Sequence, residues 1–113
     1  MTNLQAPPPV SPYITVADAN QAIEFYKRAF AATELFRNTT PDGKKIVHAQ
    51  IAINGGLVMM SDDFPEMNGG HCRDPRAIGG TPVTIHLDLK DVDATWQTAV
   101  DAGAKVVATL PCA

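Results

Sequence analysis

The feature that most constrains this chain is a partial repeat. Asp18 and Asp91 stand 73 residues apart, and each follows a run of β-favouring residues and opens an amphipathic helix. Before Asp18, residues 11–16 alternate short polar and apolar side chains through Tyr13, Ile14, Thr15 and Val16, which predicts a strand. Asp18 then stands three residues before Gln21, a helix-capping arrangement. Beyond it Ala22, Ile23, Tyr26, Ala29 and Phe30 recur at intervals of three and four, with Glu24, Lys27 and Arg28 outside the stripe. The helix ends at Ala31 and Ala32 with no glycine to take a left-handed cap, so Ala31 is expected to carry a positive φ at some cost. In the second copy residues 81–89 alternate as a strand, Asp91 caps a helix running to Ala102, Gly103 stops it, and residues 105–110 read as another strand.

Between the copies, residues 34–38 and 45–53 read as strands joined by a turn containing Pro41, Asp42 and Gly43. Asn54, Gly55 and Gly56 make a second tight turn before a strand at 57–61, so the first unit has the order βαβββ. Residues 62–80 carry glycine, proline and mixed charge without periodicity, the pattern of a long loop. The expected organisation is an extended tail at 1–10, with three consecutive prolines, and a single α+β domain at 11–113. That domain comprises a first module at 11–62, a linker loop at 63–80 and a partial second module at 81–113. The second copy reaches residue 113 before any counterpart of the hairpin that residues 45–61 provide in the first.

Composition excludes several partners. With 113 residues and 45% hydrophobic side chains, there is room for one core. A net charge of −3 provides no field to gather phosphates, so nucleic acid is not an expected partner. The longest apolar stretches, such as residues 57–60, fall far short of the roughly 20 residues a membrane helix needs, and a cytoplasmic protein is expected. Cys72 and Cys112 form no CxxC pair and read as free thiols.

Residues 11–18, Ser-Pro-Tyr-Ile-Thr-Val-Ala-Asp, followed by 22–30, Ala-Ile-Glu-Phe-Tyr-Lys-Arg-Ala-Phe, resemble the opening of the glyoxalase / bleomycin-resistance / dioxygenase superfamily, whose fold is the vicinal oxygen chelate fold. Residues 79–87 and 101–107 look more narrowly like its PhnB-like branch. The resemblance implies paired βαβββ modules, each curling its sheet into half of a cup, usually with dimerisation; function varies widely across such a fold. In metal-using members, His or Glu ligands line the concave faces. The matching positions here fall near Ser11, Met60 and Thr84, and the fourth would lie beyond residue 113. Two hydroxyls and a thioether suit divalent metals poorly, so the resemblance leads to a cup that binds a small organic molecule without a metal cofactor. The alternatives are a lyase, isomerase or dioxygenase whose Zn, Ni, Mn or Fe site is displaced to include His48 or His86, and a non-catalytic remnant.

Period-two alternation places His48 and Gln50 on one face of their strand, opposite Val47, Ala49 and Ile51. It likewise places Thr84, His86 and Asp88 opposite Val83, Ile85 and Leu87. If the helices cover the aliphatic faces, both histidines point into the cup, either as hydrogen-bonded wall residues or as groups that grip a ligand. Tyr13 and one of Met59 or Met60 add aromatic and polarizable surface, whereas Trp96 sits at core spacing on the second helix. The candidate ligand-binding set is therefore Tyr13, His48, Gln50, Met60, Thr84 and His86. The incomplete second sheet adds an expectation of a homo-oligomer, most simply a dimer, that covers its apolar face.

Overall fold

The computed structural model describes residues 8–107, so most of the expected tail, the second half of the expected 105–110 strand and Cys112 lie outside the described residues, and residues 105–107 form no strand. The order is β1 (Tyr13–Val16), α1 (Ala19–Phe30), β2 (Thr33–Thr39), β3 (Ile46–Ile53), β4 (Gly56–Asp62), a 3₁₀ turn (Pro65–Met67), a single helical turn α2 (Pro75–Ile78) and α3 (Val92–Asp101). The first unit is the expected βαβββ, and the class is α+β. Its four strands form one sheet in the order β1-β4-β3-β2, with β1 parallel to β4 and the remaining pairs antiparallel.

The helix begins where the sequence places it. The Asp18 carboxylate accepts the Gln21 N–H at 3.1 Å, satisfying a donor that has no partner inside the first turn. From there Ala19 and Ile23 are fully buried against Ala49, Ile51, Val58 and Met60, so α1 covers one face of the sheet and the core lies between them. Asp62, at the end of β4, is buried and fastens this assembly. One carboxylate oxygen accepts the Ala19 N–H at 2.8 Å and the other accepts the Ile46 N–H at 2.6 Å. The β3–β4 turn is tight because Asn54 (φ 49°) and Gly55 (φ 85°) both take left-handed backbone, as a hairpin of this length demands.

The register of β2 on β3 slips by one residue at two points, at Leu35 between Glu34 and Phe36 and again between Asn38 and Thr39. Thr39 pairs with Ile46 and Asn38 with His48, which leaves Val47 as an extra residue in a β-bulge. Ile46 is thereby turned to the core side with Ala49 and Ile51, while Val47 is exposed. The expected grouping of Val47 with the buried face fails for this reason: a bulge shifts the phase of alternation.

The loop after β4 is pinned rather than slack. A carboxylate oxygen of Asp63 accepts the N–H groups of Arg73 (2.6 Å) and Asp74 (2.8 Å), and Asp74 caps α2 by accepting the Ala77 N–H at 3.0 Å. The Asp74 N–H, followed by that of Arg73, holds the Asp63 carboxyl below the usual carboxylate range against the opposing effect of its burial.

The second unit is only partly as expected. Asp91 caps α3 through the Ala94 N–H at 3.0 Å, and the helix ends one residue before Ala102, with Gly103 at φ 112°. Residues 81–89, expected as a strand, form none and pair with no strand among the described residues. Alternation shows which side chains can share a face, but a strand also needs a partner edge for its backbone groups. Leu87 leans on the core, the Asn54 amide donates to the Asp88 carbonyl, and α3 packs on α1. Ile85, Leu87, Leu89, Trp96 and Val100 then line one apolar groove with Phe30.

Ala31 closes α1 at φ 55°, ψ 37°, the left-handed cap expected there. Its N–H donates to the Lys27 carbonyl at 3.1 Å and that of Ala32 to the Tyr26 carbonyl at 3.2 Å. Glycine accepts this backbone without the steric cost of a Cβ. Ala31→Gly is expected to raise the unfolding free energy by up to about 1 kcal/mol, read from the midpoint of urea denaturation; a loss of stability would contradict it.

Candidate functional site

On the face of the sheet opposite α1, the register sets Tyr13 beside Met59, Met59 beside Gln50 and Gln50 beside Phe36, a row that crosses all four strands. His48 lies two residues before Gln50 on the same face. Its ring stands between two aromatic neighbours, with centroids 5.2 Å from Tyr13 and 5.8 Å from Phe36. Tyr13 is 52% exposed and Phe36 45%, so both present ring surface outward.

Three polar contacts chain these residues together. The Gln50 amide nitrogen lies 3.0 Å from His48 Nε2, His48 Nδ1 lies 3.0 Å from the Tyr13 hydroxyl, and that hydroxyl donates to the Val47 carbonyl at 3.2 Å. One hydrogen arrangement satisfies all three. Gln50 donates to Nε2, the imidazole carries its proton on Nδ1 and donates to the phenol oxygen, and the phenol donates to the carbonyl. The acceptor at the end of this chain belongs to the bulged residue, so the irregularity that rephases β3 also supplies the anchor for Tyr13.

Of the expected site residues, the structure therefore brings Tyr13, His48 and Gln50 together and separates the other three. Met60 is fully buried in the core on the α1 side, and its neighbour Met59 occupies the open face. The signal that decides between them is parity, since Met59 pairs with both Tyr13 and Gln50. Thr84 is exposed and makes no hydrogen bond among the described residues. His86, also exposed, lies beside Ile53, Asn54 and Leu57 at the far end of the hairpin. Five residues along a strand span roughly 17 Å, so His48, near the opposite end of β3, is far from it. The expectation that both histidines enter one cup fails because residues 85–88 lie along the hairpin tip instead of extending a sheet over the open face. Phe36 lies in a strand of mixed burial, and composition gave no sign of it; its pairing with Gln50 is the signal.

The donors on this face do not fit the metal centre that the fold family uses elsewhere. Both His48 nitrogens are engaged, and the other polar side chains that the register sets on this face, Tyr13, Thr15, Asn38, Gln50 and Ser61, are hydroxyls and carboxamides, whereas hard and borderline divalent ions favour free imidazole or carboxylate. Among the described residues no group of three or more His, Cys, Asp or Glu side chains is placed to hold a metal ion, and no helix is long and apolar enough to cross a membrane.

Comparison with known proteins agrees with this architecture. Residues 9–111 match the model of the Glyoxalase/Bleomycin resistance protein/Dioxygenase superfamily, and the chain belongs to that superfamily. Uncharacterized proteins of Mycobacterium bovis and Mycobacterium tuberculosis are 53% identical over 103 residues, 91% of this chain. The chain spans 67% and 60% of their respective lengths. Among solved structures, a gene product from Arabidopsis thaliana is similar with a TM-score of 0.65 at 24% identity, over 92% of this chain and 80% of that one. TioX from Micromonospora sp. ML1 is similar with a TM-score of 0.58 at 22% identity, over 92% and 77%. At those identities the likeness concerns the fold.

The relay has a spectroscopic signature. In long-range 1H–15N spectra at pH 8, His48 is expected as the Nδ1-protonated tautomer. Tyr13→Phe, which removes the acceptor, is expected to shift it toward the Nε2-protonated form at a stability cost of about 1 kcal/mol. An unchanged tautomer would show that the phenol does not hold the ring.

Proposed function

We propose that this protein binds a small organic molecule on the open sheet face without a metal, and that Tyr13, His48 and Gln50 grip it while Phe36 and Met59 supply a flat apolar floor. The observation that carries this reading is the His48 ring, held at both nitrogens and flanked by two half-exposed aromatic rings. Such a surface is preorganised for a planar ligand with one or two hydrogen-bonding groups, because its polar atoms are already oriented and little side-chain freedom is lost on binding. The resemblance of residues 79–87 and 101–107 to PhnB-like proteins supports that branch of the superfamily.

The planar probe 2-naphthol tests the site. Its titration is expected to move the amide resonances of Tyr13, Phe36, His48 and Gln50, and His48→Ala is expected to abolish the effect. Protein isolated without chelators that holds stoichiometric Zn, Ni, Mn or Fe, lost in His48→Ala, would overturn the metal-free reading.

The working form in this proposal is a homodimer. Val83 (57% exposed) and Ile85 (38%) present apolar surface on a segment whose backbone has no strand partner among the described residues, and a second copy is a means of covering both. Light scattering at micromolar concentration is expected to give twice the 12.0 kDa chain mass, and a monomer would refute the dimer.

A further inference from the structure

The outer side of α1, away from the sheet, borders a cleft of about 800 Å³ shared with the first residues of α2, within the size range of small-molecule sites. Phe25 supplies aromatic surface there, Pro75 part of the opposite wall, and Arg28 and Arg76 both reach the cavity. The two acidic groups on its rim are already engaged. The Asp18 carboxylate accepts the Gln21 N–H at the start of α1, and Glu24 pairs with Lys27 at 3.5 Å. Neither arginine has an ion-pair partner among the described residues. The cleft therefore has an apolar wall, two guanidinium groups without an ion-pair partner among the described residues, and two carboxylates that keep their charge but are bonded to the helix start and to Lys27. Arg76 is not on a loose segment, because Asp63 and Asp74 hold the turn that carries it.

We propose that this cleft is a second binding site, independent of the open sheet face, for a small organic carboxylate with a flat apolar body. Arg28 and Arg76 take the carboxylate, since a guanidinium matches the two oxygens of such a group, and Phe25 packs against the ring. The overall negative charge selects against polyanions, so a single compact anion fits where nucleic acid does not. A free acid and the C-terminus of a peptide both present such a carboxylate and share the same recognition chemistry.

The test is a titration of the full chain with 2-naphthoate, followed by amide resonances, beside 2-naphthol as the neutral analogue and inorganic phosphate as the bare anion. The expected result is a set of shifts confined to residues 20–28 and 75–76, with Arg28→Gln and Arg76→Gln each weakening binding about tenfold or more. 2-Naphthol and phosphate are expected to leave those resonances unmoved. Both substitutions are at exposed positions, and an unchanged thermal midpoint confirms that the variants fold. A peptide ending in phenylalanine, compared with its amidated form, assigns the source: tighter binding than 2-naphthoate, lost on amidation, points to a chain terminus, and weaker binding to a free acid. An affinity for 2-naphthoate insensitive to both substitutions, or equal binding of the neutral analogue at these residues, overturns the proposal. Because these resonances are separate from those of Tyr13, Phe36, His48 and Gln50, failure here leaves the sheet-face reading intact, and failure there leaves this one intact.

Discussion

The fold of the first unit depends on one buried carboxylate. Asp62 ends β4 and accepts a backbone N–H from the start of α1 and another from the start of β3, so three elements far apart in sequence meet at a single side chain. Each of those N–H groups would otherwise be buried without a partner, at a penalty of roughly 1–3 kcal/mol per group. The carboxylate thereby ties the first residue of α1 to the sheet that the helix covers. Its neighbour Asp63 turns the other way and ties down the loop that follows. Two adjacent acidic residues thus divide the work between the core and the linker.

Features of the fold governed by short-range chemistry were legible in the sequence. Asp18 and Asp91 cap helices because a carboxylate at that position can reach a free N–H of the first turn. The left-handed Ala31 was readable from the end of the apolar stripe with no glycine after it, and the 54–56 turn from its asparagine and glycines. Features that depend on a distant partner were not. Alternation places Val47 on the buried face because it presumes a constant register, whereas the bulge is set by how β2 meets β3. The same blindness separates Met59 from Met60. Either can be placed by counting, but only pairing with Tyr13 and Gln50 fixes the origin of the count. Residues 81–89 carry a clear alternating pattern, yet their backbone finds no ladder among the described residues.

The candidate site was legible to a similar degree. Tyr13, His48 and Gln50 belong together because their strands are fixed by local pattern. Thr84 and His86 would join them only if a second sheet faced the first, and residues 81–89 form no such sheet among the described residues. Membership of the superfamily establishes a scaffold and leaves the chemistry to the side chains that line it. Here those side chains are a phenol, an imidazole and an amide already bonded to one another, which differs from an open set of metal donors.

The bulge at Val47 has a consequence for how such a surface can change over generations. Along a regular strand, exchanging what faces outward for what faces the core requires many substitutions at once, because the residues of both faces must change character. Gaining or losing one residue at the bulge alters the facing of only the short stretch before it, and the hydrophobic seal from Ala49 onward stays in place. The carbonyl that the bulge turns outward is a backbone group, available whatever side chain stands at position 47. The anchor for Tyr13 is therefore insulated from most point mutations at that position, although it remains sensitive to a change in length.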